Sequence, residues 1–259
     1  MKYIKKIDNR RLYDDGIGGV DLFDFSHAND NEESRVEAVA TVASICYGKP
    51  PKDAEKLVKR LQTESGGLPS SAFEFVRSAW SPDIESSLRN MPKQVVEAAA
   101  SDLFPTIIER TALEHRANVA TFRIKVPIFI ARQVMRHRSF SYQELSRRYS
   151  EADLEWWLPE GESFIVRSTF SNVYWGQHLA YQRLLEDGVP REQARAVLGT
   201  GLYTEFWMMG NTAAWRNYFK LRLDPHTQKE HRELAVAMAD LLKEHQPVLW
   251  AAVDPQGAE

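Results

Sequence analysis

The sequence contains a single cysteine, Cys46, among 259 residues. No intramolecular disulfide can form, so a reducing cytoplasm is the expected compartment. Long apolar runs are also missing. None reaches the roughly 20 residues that span a bilayer, so no membrane association is expected. The opening stretch MKYIKKIDNRRLYDDG is charged throughout and lacks an apolar signal core. A basic surplus is absent too: 33 Lys and Arg face 36 Asp and Glu, a formal net charge of -3. That balance disfavours wholesale binding to nucleic acid. There is no Gly-x-Gly-x-x-Gly fingerprint, and the GIGG at Gly16 to Gly19 is too short for one and reads as a turn. Repeats and low-complexity tracts are missing. What remains is 43% hydrophobic and 27% charged, an ordinary globular balance on a chain long enough to bury a substantial core.

The pattern along the chain predicts an α+β fold, helix-rich, with a modest and mainly antiparallel sheet, in a single domain over 1–259. VDLFDF, Val20 to Phe25, reads as a short strand. SRVEAVATVASICYG reads as a helix closed by Gly48 and Pro50-Pro51, and a second helix runs from Ala54 to Leu61. Residues 64–105 hold a loop and proline-punctuated helical segments, and read as a helical insertion. The clearest strand is Ala120 to Val126, where Ala120, Phe122, Ile124 and Val126 alternate with Thr121, Arg123 and Lys125. Pro127 suits the first turn of a following helix. Ser163 to Phe170 reads as a strand and Val173 to Glu186 as a helix closed by Gly188. Pro190 opens a short helix carrying Arg195, and Tyr203 to Met209 reads as a strand. Asn211 is a good N-cap for a helix to about Arg222. Asp224-Pro225 opens a last helix with an apolar stripe of Leu234, Met238, Leu241 and Leu242.

A local basic excess within this mildly acidic chain lies in MRHRSFSYQELSRRYSE, Met135 to Glu151. A solvated surface turn could be this basic, and so could a phosphate site; on this stretch alone the two readings stand level. Guanidinium forks, hydroxyls and backbone amides are the groups that hold phosphate oxygens. A tight turn over 139–145 would let Arg136, Ser146 and Arg148 converge on one anion. Glu144 would be costly beside that anion, and Ser141-x-x-Glu144 also fits a helix capping box.

Arg136-His137-Arg138, seven residues, then Ser146 resembles the signature of the flavin-dependent thymidylate synthases. Pro127-Ile128-Phe129 and Ala131-Arg132-Gln133 before it are similar to that family. So is the distant segment Asn211 to Asp224, with Asn217, Leu221-Arg222 and, just beyond it, His226. Leu113-Glu114-His115 resembles a further family stretch, and Ala43 to Tyr47 gives a weaker echo. The sequence departs from the family pattern at Arg147, where a small residue is frequent, at Thr212-Ala213 and at Glu109.

The resemblance implies an α+β fold and a homotetramer with active sites shared between subunits. It implies FAD as cofactor, with NADPH and the folate 5,10-methylenetetrahydrofolate as co-substrates, and methylation of dUMP to dTMP. By the same resemblance Gln133, Arg136, Glu144, Leu145, Ser146, Arg147, Arg148 and Arg195 bind the nucleotide. Thr111, Arg136, His137, Arg138, Glu144, Asn211 and Asn217 bind the flavin. Arg222 faces the pyrimidine as the catalytic residue. An arginine stays protonated and cannot be the base, but it can stabilise the N3/O2 anion of uracil. Removing such a preorganised donor costs about 3–4 kcal/mol.

Blander roles compete at several positions. Asn211 alone is more simply an N-cap, Arg195 a surface charge, and Cys46 a packing residue. Asn217 in a helix interior is more suggestive, because asparagine has poor helix propensity. His226 and His231, five apart on one helix, make a poor same-face pair, and no metal is predicted. Two other functions remain open: the same chemistry on UMP or a modified pyrimidine nucleotide, and a non-catalytic nucleotide- or RNA-binding paralogue.

Overall fold

The computed structural model describes residues 4–13, 15–24, 32–45, 53, 54, 56–58, 120–146 and 154–256. Thr111, Glu114, His115, Cys46, Arg147, Arg148 and the 64–105 segment lie outside the described residues.

Five strands form one sheet among these residues: β1 (Lys5–Arg11), β2 (Gly19–Asp24), β3 (Ala120–Pro127), β4 (Ser141–Glu144) and β5 (Tyr203–Gly210). The spatial order is β1-β2-β3-β5-β4, and every pairing is antiparallel. The chain is therefore α+β, as expected. The alternation in β3 sorts its two faces. Phe122, Ile124 and Val126 join Val20, Leu22, Phe206 and Met208 in the main core. On the opposite face Arg123 pairs with Glu205 and approaches Asp21 at 3.9 Å, while Lys6 meets Asp21 at 2.7 Å. These exposed pairs contribute little stability each.

The main core is covered by α2 (Ile128–Val134), α5 (Thr212–Arg222), α6 (Lys229–His245) and α7 (Pro247–Val253). On the other face, α1 (Glu32–Ser44) packs Ala38, Val39, Val42 and Ala43 against Phe23, Trp207 and Met209. α3 (Phe164–Glu186) is different. It runs 23 residues with Tyr181 as its one buried side chain, and it packs on α4 (Arg191–Ala194) and the 3-10 turn Arg195–Val197. Phe164, Ile165, Val173, Trp175 and Leu179 are exposed along it.

Several expectations are corrected. Ser163 to Phe170 is no strand: the Ser163 side chain accepts from Val166 N–H and caps α3, so one helix covers both predicted elements. Ser141 to Glu144 is edge strand β4, neither a tight turn nor a capping box. The last predicted helix is two. Asp224 holds a turn by accepting the His226 N–H at 2.8 Å, α6 begins at Lys229, and Pro247 starts α7. β1 was not expected at all. Ala54 and Lys56–Val58 are helical, as the sequence suggested.

Candidate functional site

The site begins where α2 ends. Met135, Arg136 and His137 donate their backbone N–H groups to Ala131, Gln133 and Val134, so the helix unwinds through tightening turns. The Tyr142 hydroxyl on β4 donates to the Val134 carbonyl at 2.9 Å and lies 3.0 Å from that of His137. This ties the turn to the sheet edge. Phe140 anchors it from the other side, edge-on to Trp215 at 4.6 Å between ring centroids. That anchor explains Gly210: a Cβ there would sit 2.4 Å from the Phe140 ring. The turn thus presents Arg136 and Arg138 to solvent and buries His137 between them, 7% exposed.

Arg222, the last residue of α5, reaches His137. Its Nε–H donates to His137 Nε2 at 2.8 Å. A guanidinium can only donate, so His137 Nε2 is an acceptor and the ring proton sits on Nδ1. Burial, then the Arg222 charge, pushes His137 down to about 4. A neutral imidazole therefore holds the guanidinium without cancelling its charge. The remaining fork of Arg222 stays available for planar, anionic recognition.

Gln133 belongs to the same cluster. Its amide meets His231 and Gln228 on either side. Tyr218 packs edge-on against His137 at 4.9 Å and contacts His231, so α2, α5 and α6 meet here. The other half lies on the sheet. Glu144 accepts from the Thr204 hydroxyl at 2.7 Å, and the Leu145 N–H donates to the Glu205 carbonyl. Leu145 packs against the α1 core, and Ser146 follows, half-buried. His137 and Arg222 are thus in direct contact, and Gln133 joins them through His231 and Tyr218. Arg136 and Arg138 stand on the same turn as His137, Glu144 ends the strand it leads to, and Leu145 and Ser146 follow that strand.

Others stand apart. Arg195 is exposed on the 3-10 turn against α3, its Nε–H donating to the Glu192 carbonyl. Asn211 is the N-cap of α5, accepting from the Ala214 N–H at 2.9 Å. Asn217 is exposed on α5. Nothing in the sequence motifs singles out Tyr218 or Gln228, and His231 stands out there only as a poor metal ligand. The stripe at Leu234 and Met238 carried the signal, since three residues back along a helix lies on the same face. As to metals, Asp8, Glu244 and His245 bring ligand atoms within 4.8 Å of one another, but Arg10 pairs with both carboxylates, so ion pairing accounts for that group.

Residues 28–248 match the family model described as thymidylate synthase complementing protein. The chain belongs to that family. Among its relatives, the flavin-dependent thymidylate synthase of Thermotoga neapolitana is 42% identical over 142 residues, covering 52% of this chain and 66% of that protein. The enzyme of the same name from Thermus thermophilus is 37% identical over 155 residues, covering 52% and 56%. The chain thus spans somewhat less than two thirds of the length of these family members. A solved UMP/dUMP methylase of Streptomyces cacaoi, bound with 5-Br UMP, is 27% identical with a TM-score of 0.49 over 56% of this chain and 78% of that one. Among the described residues no helix is long and apolar enough to cross a membrane.

Proposed function

We propose that this protein is a flavin-dependent thymidylate synthase, converting dUMP to dTMP with 5,10-methylenetetrahydrofolate as carbon donor. The observation that carries the reading is Arg222, held by a neutral His137 and retaining its charge in a family member. C5 of uracil is a weak nucleophile. It gains electron density when negative charge builds at N3 and O2. Arg222 stabilises that charge with donors already oriented by His137, and a preorganised charge of this kind acts without reorganisation during the reaction. Gln133 and Arg136, with Glu144, Leu145 and Ser146, hold the nucleotide. Arg147, Arg148 and Arg195 serve its phosphate.

The exposed donors suit FAD. Arg136 and Arg138 flank the buried ring of His137, and Asn217 is exposed on α5, an arrangement of cations and amide donors fitting an anionic, hydrogen-bonding cofactor. When bound and reduced by NADPH, the flavin would supply the hydride that completes the methyl group. Thr111 and Asn211 complete the flavin contacts in this reading. The assembly is a homotetramer sharing its sites. The exposed apolar side chains of α3 favour it, since large apolar side chains left in solvent suit burial between copies. A lone cysteine suits the cytoplasm.

The test is dTMP formation from dUMP, methylenetetrahydrofolate and NADPH with added FAD, run beside UMP. Turnover of dUMP supports the proposal. Turnover of UMP alone shifts the substrate. A purified protein that neither carries nor takes up a flavin chromophore overturns the enzymatic reading and leaves a nucleotide binder.

A further inference from the structure

His231 has no part in the chemistry above, yet it is fully buried behind the site, on α6. It stands in a continuous chain of hydrogen bonds. The Tyr218 hydroxyl lies 3.2 Å from His231 Nε2, and His231 Nδ1 lies 3.3 Å from Gln133 Oε1. Gln133 Nε2 donates to Gln228 Oε1 at 2.6 Å, and Gln228 Nε2 donates to Glu230 Oε2 at 2.8 Å.

One proton arrangement satisfies all four contacts, and it is set from the far end. A carboxylate only accepts, so Gln228 must turn its NH2 towards Glu230 and its carbonyl towards Gln133. Gln133 therefore donates with its NH2 and turns its own carbonyl towards His231. That carbonyl also only accepts, so His231 carries its proton on Nδ1. Nε2 is left as an acceptor, and Tyr218 donates to it. The other tautomer would set the lone pair of the buried Nδ1 against the carbonyl of the half-buried Gln133, two acceptors face to face.

We propose that His231 is a positioning residue that locks the Gln133 amide in one orientation at the nucleotide site. This rests on the reading of Gln133 as a contact to a pyrimidine nucleotide. Beyond its two bonds, Gln133 keeps one amide hydrogen and one carbonyl lone pair. The lock decides which of the two meets which ligand atom. Burial, then the charge of Arg222 and the neighbouring His137, pushes His231 down to about 3, so the ring stays neutral through the ordinary pH range.

The first measurement is the tautomer. In 15N-labelled full-length protein without nucleotide, the His231 side chain is expected as the Nδ1–H form. The Nε2–H form overturns the lock whatever reaction the protein carries out. The second is dUMP affinity by calorimetry, beside thermal unfolding, in two variants. His231→Asn places an amide where Nδ1 stood and can still donate to Gln133, whereas His231→Leu cannot. Loss of the donor is expected to weaken dUMP about tenfold, with His231→Asn staying within about threefold of wild type. Equal affinity in all three proteins, or an equal loss in both variants that follows their unfolding temperatures, overturns the proposal in favour of a packing role. Should His231→Leu not fold, Gln228→Met at the exposed start of α6 releases Gln133 from its other side. It is expected to weaken dUMP severalfold, and unchanged affinity counts against the lock. Wild-type protein that binds no pyrimidine nucleotide refutes the functional reading, and the nucleotide role of His231 with it. Binding of dUMP alongside the wrong tautomer refutes the lock alone.

Discussion

Arg222 has five N–H donors and gives one to His137. Replacing it with alanine removes the charge proposed to face the pyrimidine while leaving Arg136, Arg138 and Asn217 in place. The Arg222→Ala protein is expected to bind FAD by absorbance and to lose about 10²–10³ in kcat for dTMP formation, the usual scale for a preorganised electrostatic group. Full activity in the variant would refute the assigned role. Arg222 is legible in the sequence through its resemblance to a family segment, which links His137 only to the flavin. The hydrogen bond between them links residues 85 positions apart, and no local pattern encodes such a contact. The error over His226 and His231 was local. The sequence pattern suggests one helix for both, but Asp224 captures the His226 N–H and the helix starts at Lys229, so of the two only His231 lies on it.

At the scale of the element, the 135–140 turn depends on the close approach of Phe140 to Gly210. Phe140 is packed among Trp215, Tyr218 and Tyr142 and has little room to yield. A Gly210→Ala substitution is therefore expected to destabilise the protein by about 1–3 kcal/mol, the range for overpacking a filled core. It should also weaken nucleotide binding by shifting the turn that carries Arg136 to Arg138. Urea unfolding and dUMP calorimetry on one preparation would check both, and a stability equal to wild type would show that the ring can move aside. The elements that sequence revealed were those with a buried face. β3 alternates, α6 has its stripe, and Asn211 caps α5 as expected. The elements it missed are sheet edges. β1 (KKIDNRR) and β4 (SYQE) bury almost nothing, so neither displays the two-residue apolar period, and pairing partners elsewhere in the chain define them.

For the whole molecule, the two buried histidines make stability depend on acid. His137 and His231 lie at about 4 and about 3 when folded, against 6.5 for a free imidazole. As pH falls below 6.5 the unfolded chain takes up protons that the folded chain refuses. The contribution of these two rings is therefore complete above about 6.5 and declines as pH falls towards 4. The depressed carboxyl of Asp8, paired with Arg10, acts in the same direction at lower pH. Urea midpoints at pH 7, 6 and 5 should fall in that order, and a level series would mean that the rings are not held neutral by the fold.

The sheet's connectivity has a consequence for synthesis. β3 finds its second neighbour in β5, with Pro127 opposite Tyr203 and Ala120 opposite Gly210. When β3 leaves the ribosome, β2 can already pair along one side, but the other side faces an empty position until β5 has been translated. At cellular translation speeds that delay is on the order of ten seconds. Throughout it, Phe122, Ile124 and Val126 lie beside an unpaired strand edge, the arrangement that invites another nascent chain to add itself. The helices that later shelter the proposed nucleotide site, α5 and α6, come after β5 in the chain. They also cover the apolar face that waits longest, so the layer that carries Arg222 and His231 doubles as the cap that ends the chain's exposure to misassembly.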